Sequence, residues 1–182
     1  VNASQIQLRE NPWLTHTVRI DDVIGEAEGV ATYRLTLTDD VDAHAYDFIP
    51  GQFNMLYLPG VGESAISMSG NPALGNGWIH TVRIAGNVTR TLAGLTKGDT
   101  LGVRGPFGTG WPVDQLEGND VVVVAGGLGM APLRPLIYYI MNHRDRYGRV
   151  WLISGARTLD GLLFQREYDA WKKSGIEVLT TV

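Results

Sequence analysis

Cysteine is absent from the 182 residues. Its absence excludes disulfides, cysteine-ligated zinc and cysteine-ligated iron–sulfur clusters from this chain. Long apolar runs are missing as well. The longest, Asp120–Gly126 and the stretch around Pro132–Met141, fall far short of the ~20 residues that span a bilayer, so no membrane insertion is expected. Nor is there an excess of positive charge: 15 Lys+Arg stand against 19 Asp+Glu, a formal net charge of −4. That balance leaves no electrostatic footprint for nucleic acid or an anionic membrane surface. Val1–Glu10 is mixed polar, with neither a basic start nor a continuous apolar run, so no targeting segment is read and a cytoplasmic protein is expected. The histidines His16, His44, His80 and His143 are scattered without metal-ligand spacing, and no Ser/His/Asp constellation suggests hydrolysis. His80 lies within a strand pattern and reads as structural; Glu63 and Asp99 fall in turns and read as solvated.

The makeup that remains, 44% hydrophobic and 19% charged, is that of a globular protein at the border between one domain and two small ones. Glycine is in surplus: average usage predicts about 13 in a chain of this length, and 23 are present.

The first hundred residues read as strands. Thr15–Ile24 and Ala31–Thr38 alternate apolar and polar residues around the turn chemistry of Gly25–Gly29, and Phe53–Leu58, Ala65–Ser69, Trp78–Ala85 and Thr100–Arg104 repeat the pattern. Six short strands at this spacing predict an antiparallel barrel or sandwich. Thr89–Leu95 is the one helix-like exception. After Gly105-Pro106-Phe107-Gly108 the grammar changes. Asp120–Ala125 reads as a strand buried on both faces, Pro132–Arg144 as a helix, Arg149–Ser154 as a second strand, Leu162–Lys173 as a second helix, and Gly175–Val182 as a third strand. Alternation of this kind predicts a parallel sheet with right-handed crossovers. We place the domain boundary near Pro112–Gly118, giving domains 1–112 and 113–182. Three strands are few for an open doubly wound sheet, so the polypeptide is expected to continue past Val182, or a partner chain to cover the exposed edge.

Four glycine clusters carry the candidate chemistry. In Val124-Ala125-Gly126-Gly127-Leu128-Gly129-Met130-Ala131-Pro132, glycines between a buried strand and a helix let a ligand approach the backbone, and the helix start favours phosphate. The spacing is G-G-x-G, not G-x-G-x-x-G, and a tight turn without a ligand is the alternative. Ile84-Ala85-Gly86-Asn87-Val88-Thr89-Arg90-Thr91-Leu92 offers a hydroxyl, amides and an arginine to a diphosphate, or else is a helix capped by Asn87 or Thr89. Pro59–Ser69 feeds a strand of small residues, either a flat platform for an aromatic ring system with Ser67 as hydrogen-bond partner or an ordinary strand. Gly102–Gly108 reads as an interdomain joint.

Taken in order, A-I-S-M-S, G-N-V-T-R-T-L, R-G-P-F-G and A-G-G-L-G-M-A-P resemble the ferredoxin–NADP reductase superfamily. More narrowly, P-G-V-G-E-S-A-I-S, L-G-V-R-G-P-F-G-T-G-W-P-V and V-V-A-G-G-L-G-M-A-P-L-R-P-L-I resemble the branch of the gamma (diaphorase) subunits of cytoplasmic nickel–iron hydrogenases and sulfhydrogenases. The beta subunit of anaerobic sulfite reductase and the electron-transfer subunit of dihydroorotate dehydrogenase are close to it. The resemblance implies a six-stranded antiparallel flavin-binding barrel, followed by an incomplete parallel α/β nucleotide-binding domain. It also implies FAD on the barrel, NAD(P) in the cleft between the domains, and electron exchange with iron–sulfur and catalytic subunits of a partner complex, a hydrogenase first. The alternatives are a sulfite reductase or dihydroorotate dehydrogenase partner, or a nucleotide-binding scaffold without turnover.

Carried over by position, Ser64 and Ala65 lead into the flavin strand, and Ile66 and Ser67 match residues beside the flavin ring, with Ser67 near its N5 as the catalytic candidate. Arg83 and Ile84 match the following strand, and Gly86, Val88, Thr89 and Leu92 the segment holding the FAD diphosphate. Gly126, Gly127, Gly129, Ala131 and Pro132 match the nicotinamide-dinucleotide loop, and Gly155, Ala156 and Arg157 the turn where the adenosine ribose sits. Arg157 tilts the cofactor preference toward NADP. Two departures stand out. Ser64 occupies the place where superfamily members commonly carry an Arg on the diphosphate, which shifts neutralisation to Arg83, Arg90 or backbone amides. The C-G-P-type motif and the cysteines of the branch's [2Fe–2S] centre are missing, so the implied cluster has no ligands in this chain.

Overall fold

A computed structural model describes residues 13–38, 47–74 and 78–182. Strands β1 (His16–Ala27), β2 (Val30–Leu37), β3 (Phe53–Leu58), β4 (Gly62–Ser67), β5 (Trp78–Arg83) and β6 (Thr100–Phe107) form one antiparallel sheet in the order β4-β3-β6-β1-β2-β5. The two ends meet. Met68, just past β4, bridges His80 of β5, and the Ser69 N–H donates to the Ile79 carbonyl at 2.8 Å, closing the sheet into a barrel. Period-2 alternation drives this closure: in β3 every second side chain, Asn54, Leu56 and Leu58, points inward and is buried. Val18, Ile20, Tyr33, Leu35, Leu101 and Val103 fill the interior with them. A short helix, α1 (Asn87–Leu92), packs on β3 and β4 and inserts Leu92 into that core.

The second half alternates β7 (Val121–Gly126), α2 (Met130–Asn142), β8 (Val150–Gly155), α3 (Tyr168–Lys173) and β9 (Ile176–Thr181), with the strands parallel in the order β7-β8-β9. Its core joins Val121, Val123 and Ala125 to Ile137 and Ile140 of α2 and to Leu152, Phe164, Trp171 and Ile176. The six-stranded barrel and parallel second domain read from the sequence are therefore present. Among the described residues no helix is long and apolar enough to cross a membrane.

Two elements differ from expectation. β7 is buried on one face only: Val122 and Val124 are 57% and 66% exposed, because α2 and α3 pack on the opposite side, against Val121, Val123 and Ala125. The second helix is half as long as read. Phe164 takes a left-handed conformation (φ 58°), which α-helix cannot absorb; a short 3-10 turn at Gln165–Glu167 follows, and α3 starts only at Tyr168.

The two halves share one intrusion. β1 is the longest strand, and its hairpin with β2 reaches beyond the barrel so that Ala27 and Val30 pack against the α/β core.

Candidate functional site

A cleft of about 850 Å³ opens where that hairpin end meets the C-terminal ends of the parallel strands. Ala27, Glu28, Val30 and Arg83 line it from the barrel; Gly126, Gly127 and Leu128 follow β7; Gly155–Thr158, Asp160, Gly161 and Leu163 follow β8. A crevice at the carboxyl ends of parallel strands is where open α/β sheets take ligands.

In the loop after β7 the glycines are not demanded by packing within the chain. A Cβ placed on Gly126, Gly127 or Gly129 would meet nothing within 4 Å, and Gly127 alone of the three needs its freedom, at φ +49°. The loop backbone is thus open to close approach by something else, as a dinucleotide requires. Two cations attend it: Arg83 and Arg157 line the cleft and neither forms an ion pair or side-chain hydrogen bond among the described residues. Unpaired guanidinium groups beside an accessible glycine backbone suit phosphate oxygens, which accept from both. Glu28 and Asp160 border the same space as hydrogen-bond acceptors.

Of the residues singled out by sequence, Gly126, Gly127, Gly155, Ala156, Arg157 and Arg83 thus converge on one cleft. Gly129 and Pro132 instead line a second, shallower groove beside the outer face of β7, and Ala131 is buried in the α/β core. The sequence reading missed Ala27, Glu28 and Val30, since nothing in a hairpin turn announces that it will lie against a loop about a hundred residues away. Thr158 and Asp160, within three residues of Arg157, could have been found by contiguity.

The residues matched to the flavin form a second group on the barrel. α1 packs on β4, which brings Gly86 and Val88 alongside the strand that carries Ser64, Ala65, Ile66 and Ser67. The hydroxyls of Ser64 and Ser67, both half-buried, make no hydrogen bond among the described residues, and a Cβ on Gly86 would meet nothing within 4 Å. Ile84 is exposed at the end of β5, between this group and Arg83. Thr89 does different work from that suggested by its type. It is buried, its hydroxyl accepts from the Ala85 and Gly86 amides at 2.9 and 3.0 Å, and it donates to the Gly86 carbonyl at 3.2 Å. It shapes the turn and has no proton left for a phosphate. Leu92 likewise supports from within the core.

Behind Ser67 stands His80, fully buried. Its Nδ1 faces the Ser67 carbonyl at 3.0 Å and must donate, so Nε2 is the acceptor for Asn54 Nδ2 at 3.3 Å. Burial pushes its pKa down to about 4 and keeps the ring neutral. Glu63 is exposed as expected, but it lies in β4 rather than in a turn and accepts two hydrogen bonds from Arg104; these hold its carboxyl below the usual range.

The comparisons agree with this geometry. Residues 123–182 match the family model of the oxidoreductase NAD-binding domain. A cytochrome P450 reductase of Amycolatopsis superposes with a TM-score of 0.76 at 22% identity, covering 92% of this chain and 51% of that one. Ferredoxin–NADP+ reductase of Plasmodium falciparum gives 0.75 at 16% identity, over 92% and 70%. The chain therefore has the ferredoxin–NADP reductase fold, with an oxidoreductase NAD-binding domain in its second half. By sequence it is a relative of the sulfhydrogenase gamma and dihydroorotate dehydrogenase electron-transfer subunits, as its motifs indicate. It is 40% identical to sulfhydrogenase 1 subunit gamma of Pyrococcus furiosus over 90% of this chain and 56% of that one. It is 33% identical to a protein of Methanocella arvoryzae named as the electron transfer subunit of dihydroorotate dehydrogenase B (NAD+), over 83% and 52%. The chain thus spans about half the length of these relatives.

Proposed function

We propose that this chain carries the FAD and nicotinamide sites of an NAD(P)H oxidoreductase subunit that passes electrons between the nicotinamide cofactor and iron–sulfur centres of a partner complex, a nickel–iron hydrogenase in the first instance. The observation that carries this reading is the cleft in which Arg83 and Arg157, both unpaired, flank the open Gly126–Gly129 loop at the end of a parallel strand. The barrel, on residues 1–112, takes the flavin along β4 and α1; residues 113–182 take the dinucleotide. When bound, the flavin supplies acceptance of a hydride from the nicotinamide and release of electrons one at a time. The protein's part is to bind and orient. Arg83 and Arg157 neutralise diphosphate and adenosine-side charge, the free Ser64 and Ser67 hydroxyls offer hydrogen bonds to the flavin, and His80 fixes the Ser67 backbone from behind. With no cysteine in the chain, the [2Fe–2S] centre of such a complex would take its ligands from residues outside these 182.

Support for the hydrogenase partner over dihydroorotate dehydrogenase is the higher identity to sulfhydrogenase 1 subunit gamma, 40% against 30–38% for the dihydroorotate dehydrogenase subunits. The test is a visible spectrum of the purified protein supplied with FAD. Flavin bands that survive desalting and bleach on adding NADH or NADPH are expected, and a protein that stays colourless overturns the reading. Binding isotherms of Arg157→Ala then assign the nucleotide. A loss confined to NADPH marks a 2′-phosphate contact, while an equal loss for NADH and NADPH defeats the NADP preference.

A further inference from the structure

The barrel and the α/β domain are joined by two charged contacts, each with at least one buried partner, that the proposed chemistry does not use. The first starts at a β-bulge. Between the pairs Gly25–Ala31 and Ala27–Val30, Glu26 is the extra residue of β1, and a bulge re-aims its side chain. Its carboxylate is 1% exposed and meets the Arg166 guanidinium fork to fork, with both N–H···O distances 2.6 Å. The Thr32 hydroxyl donates to the same carboxylate at 2.6 Å, and a file of hydroxyls, Thr32, Thr81 and Ser69, each 2.8 Å from the next, runs from it across the barrel.

That file ends where the second contact begins. Arg134 of α2, 7% exposed, donates from Nη1 to the Ser69 carbonyl at 3.1 Å and grips the Glu167 carboxylate through Nε and Nη2. Tyr138 donates to Glu167 at 2.6 Å, and the Phe164 ring lies 4.3 Å from the Arg134 guanidinium carbon. The left-handed turn at Phe164 lets Phe164, Arg166 and Glu167 take up these places within four residues of one another. Both contacts therefore run through the segment just after Leu163, itself a lining residue of the cleft, while Glu26 directly precedes Ala27 and Glu28 on the opposite wall.

We infer that the Glu26–Arg166 pair, backed by Arg134 on the Ser69 carbonyl, is a positioning device that sets the width of the cleft and thereby the approach of a nicotinamide ring to a flavin. The inference rests on the cofactor reading above. Two parallel charge-assisted bonds fix direction as well as distance. A carboxylate this buried has no alternative partner in solvent, so the hairpin wall stays where Arg166 holds it. An offset of an ångström between reacting groups is worth about a hundredfold in rate.

The test uses Arg166→Gln and Arg166→Lys; the residue is nearly half exposed, so both variants are expected to fold. Three readouts are compared with the unaltered protein: hydrogen exchange of cofactor-free protein in residues 24–31, reduction of bound FAD by dithionite, and stopped-flow reduction by NADH or NADPH, protiated and 4-deuterated. For Arg166→Gln we expect faster exchange in the hairpin with β3 unchanged, FAD retention and dithionite reduction unchanged, nicotinamide-driven reduction slowed at least tenfold, and a larger deuterium effect. Arg166→Lys should fall between. Unaltered exchange, or a nicotinamide-driven rate within twofold of the parent, overturns the positioning role. So does loss of FAD, which would mark Arg166 as merely structural. If the unaltered protein neither holds FAD nor bleaches, the cofactor reading itself fails, whereas a bleaching parent with an equally fast Arg166→Gln variant sinks only the positioning inference.

Discussion

His80 shows how a single side chain ties barrel closure to acidity. It is neutral in the native barrel, with a pKa near 4 against an ordinary 6.5, and desolvation is the main cause. Between these values the unfolded chain binds a proton that the native state refuses, so stability rises with pH. The contribution is complete above pH 6.5 and is lost as the pH falls toward 4, amounting to about 3 kcal/mol at 1.36 kcal/mol per unit. His80→Asn retains a donor toward the Ser67 carbonyl but cannot titrate. Urea unfolding at pH 7, 5.5 and 4.5 should therefore show the parent losing stability more steeply than His80→Asn; parallel profiles would refute the assignment. Asn54 belongs to the same cluster. Its Oδ1 is buried without a partner among the described residues, and it lies where a Cβ on Gly105 would collide with it. Any side chain at Gly105 would disturb the Asn54–His80–Ser67 series from the other end.

The elements divide into those that announce themselves and those that do not. β3 occupies the predicted Phe53–Leu58 span because strict alternation between Gly51 and Pro59 leaves no other solution. Asp120–Ala125 was readable as a strand, but its two faces were not. A run of valines carries no record of which side receives helices, and that depends on both crossovers lying on one face. The helix read over Leu162–Lys173 failed for a reason the sequence does not display. A Phe in the left-handed region is rare, and only the surroundings of Arg134 and the α/β core fix it there. This makes a discriminating prediction. Phe164→Ala and Phe164→Gly remove the same buried ring, each costing about 3–5 kcal/mol, but glycine also relieves a left-handed conformation worth about 1–2 kcal/mol. The glycine variant should be the more stable of the two, the reverse of the usual order, and denaturant unfolding of both decides it.

The candidate site was legible in the same uneven way. That Gly126 and Gly127 lie in a loop between strand and helix was legible because strand–glycine–helix grammar is local, whereas Gly155 and Arg157 came only through the resemblance. For Thr89 the sequence left a diphosphate contact and a helix cap open, and its hydroxyl is consumed by the turn at the helix start. Glu26 could not be found at all. A bulge depends on the register between two strands, and Arg166 lies 140 residues further along the chain.

At the scale of the molecule, the barrel and the α/β domain meet through a hairpin, two charged contacts and a cleft, while the far side of the parallel sheet is largely open, bordered at β7 by a groove that Trp111, Leu116 and Pro132 share with it. Val122 and Val124 on that side, with Leu179 of β9, are more than half exposed. Among the described residues β7 is also an edge strand, pairing with β8 alone. An edge built from four consecutive valines, uncharged and free of proline, is a template on which further copies of the same segment can stack. Handled as these 182 residues alone, the protein is therefore expected to self-associate through β7 as its concentration rises. A lysine there would interrupt the stacking: Val124→Lys should raise the concentration at which light scattering appears while leaving the hairpin, the cleft and the barrel untouched, and equal scattering from both proteins would locate the sticky surface elsewhere.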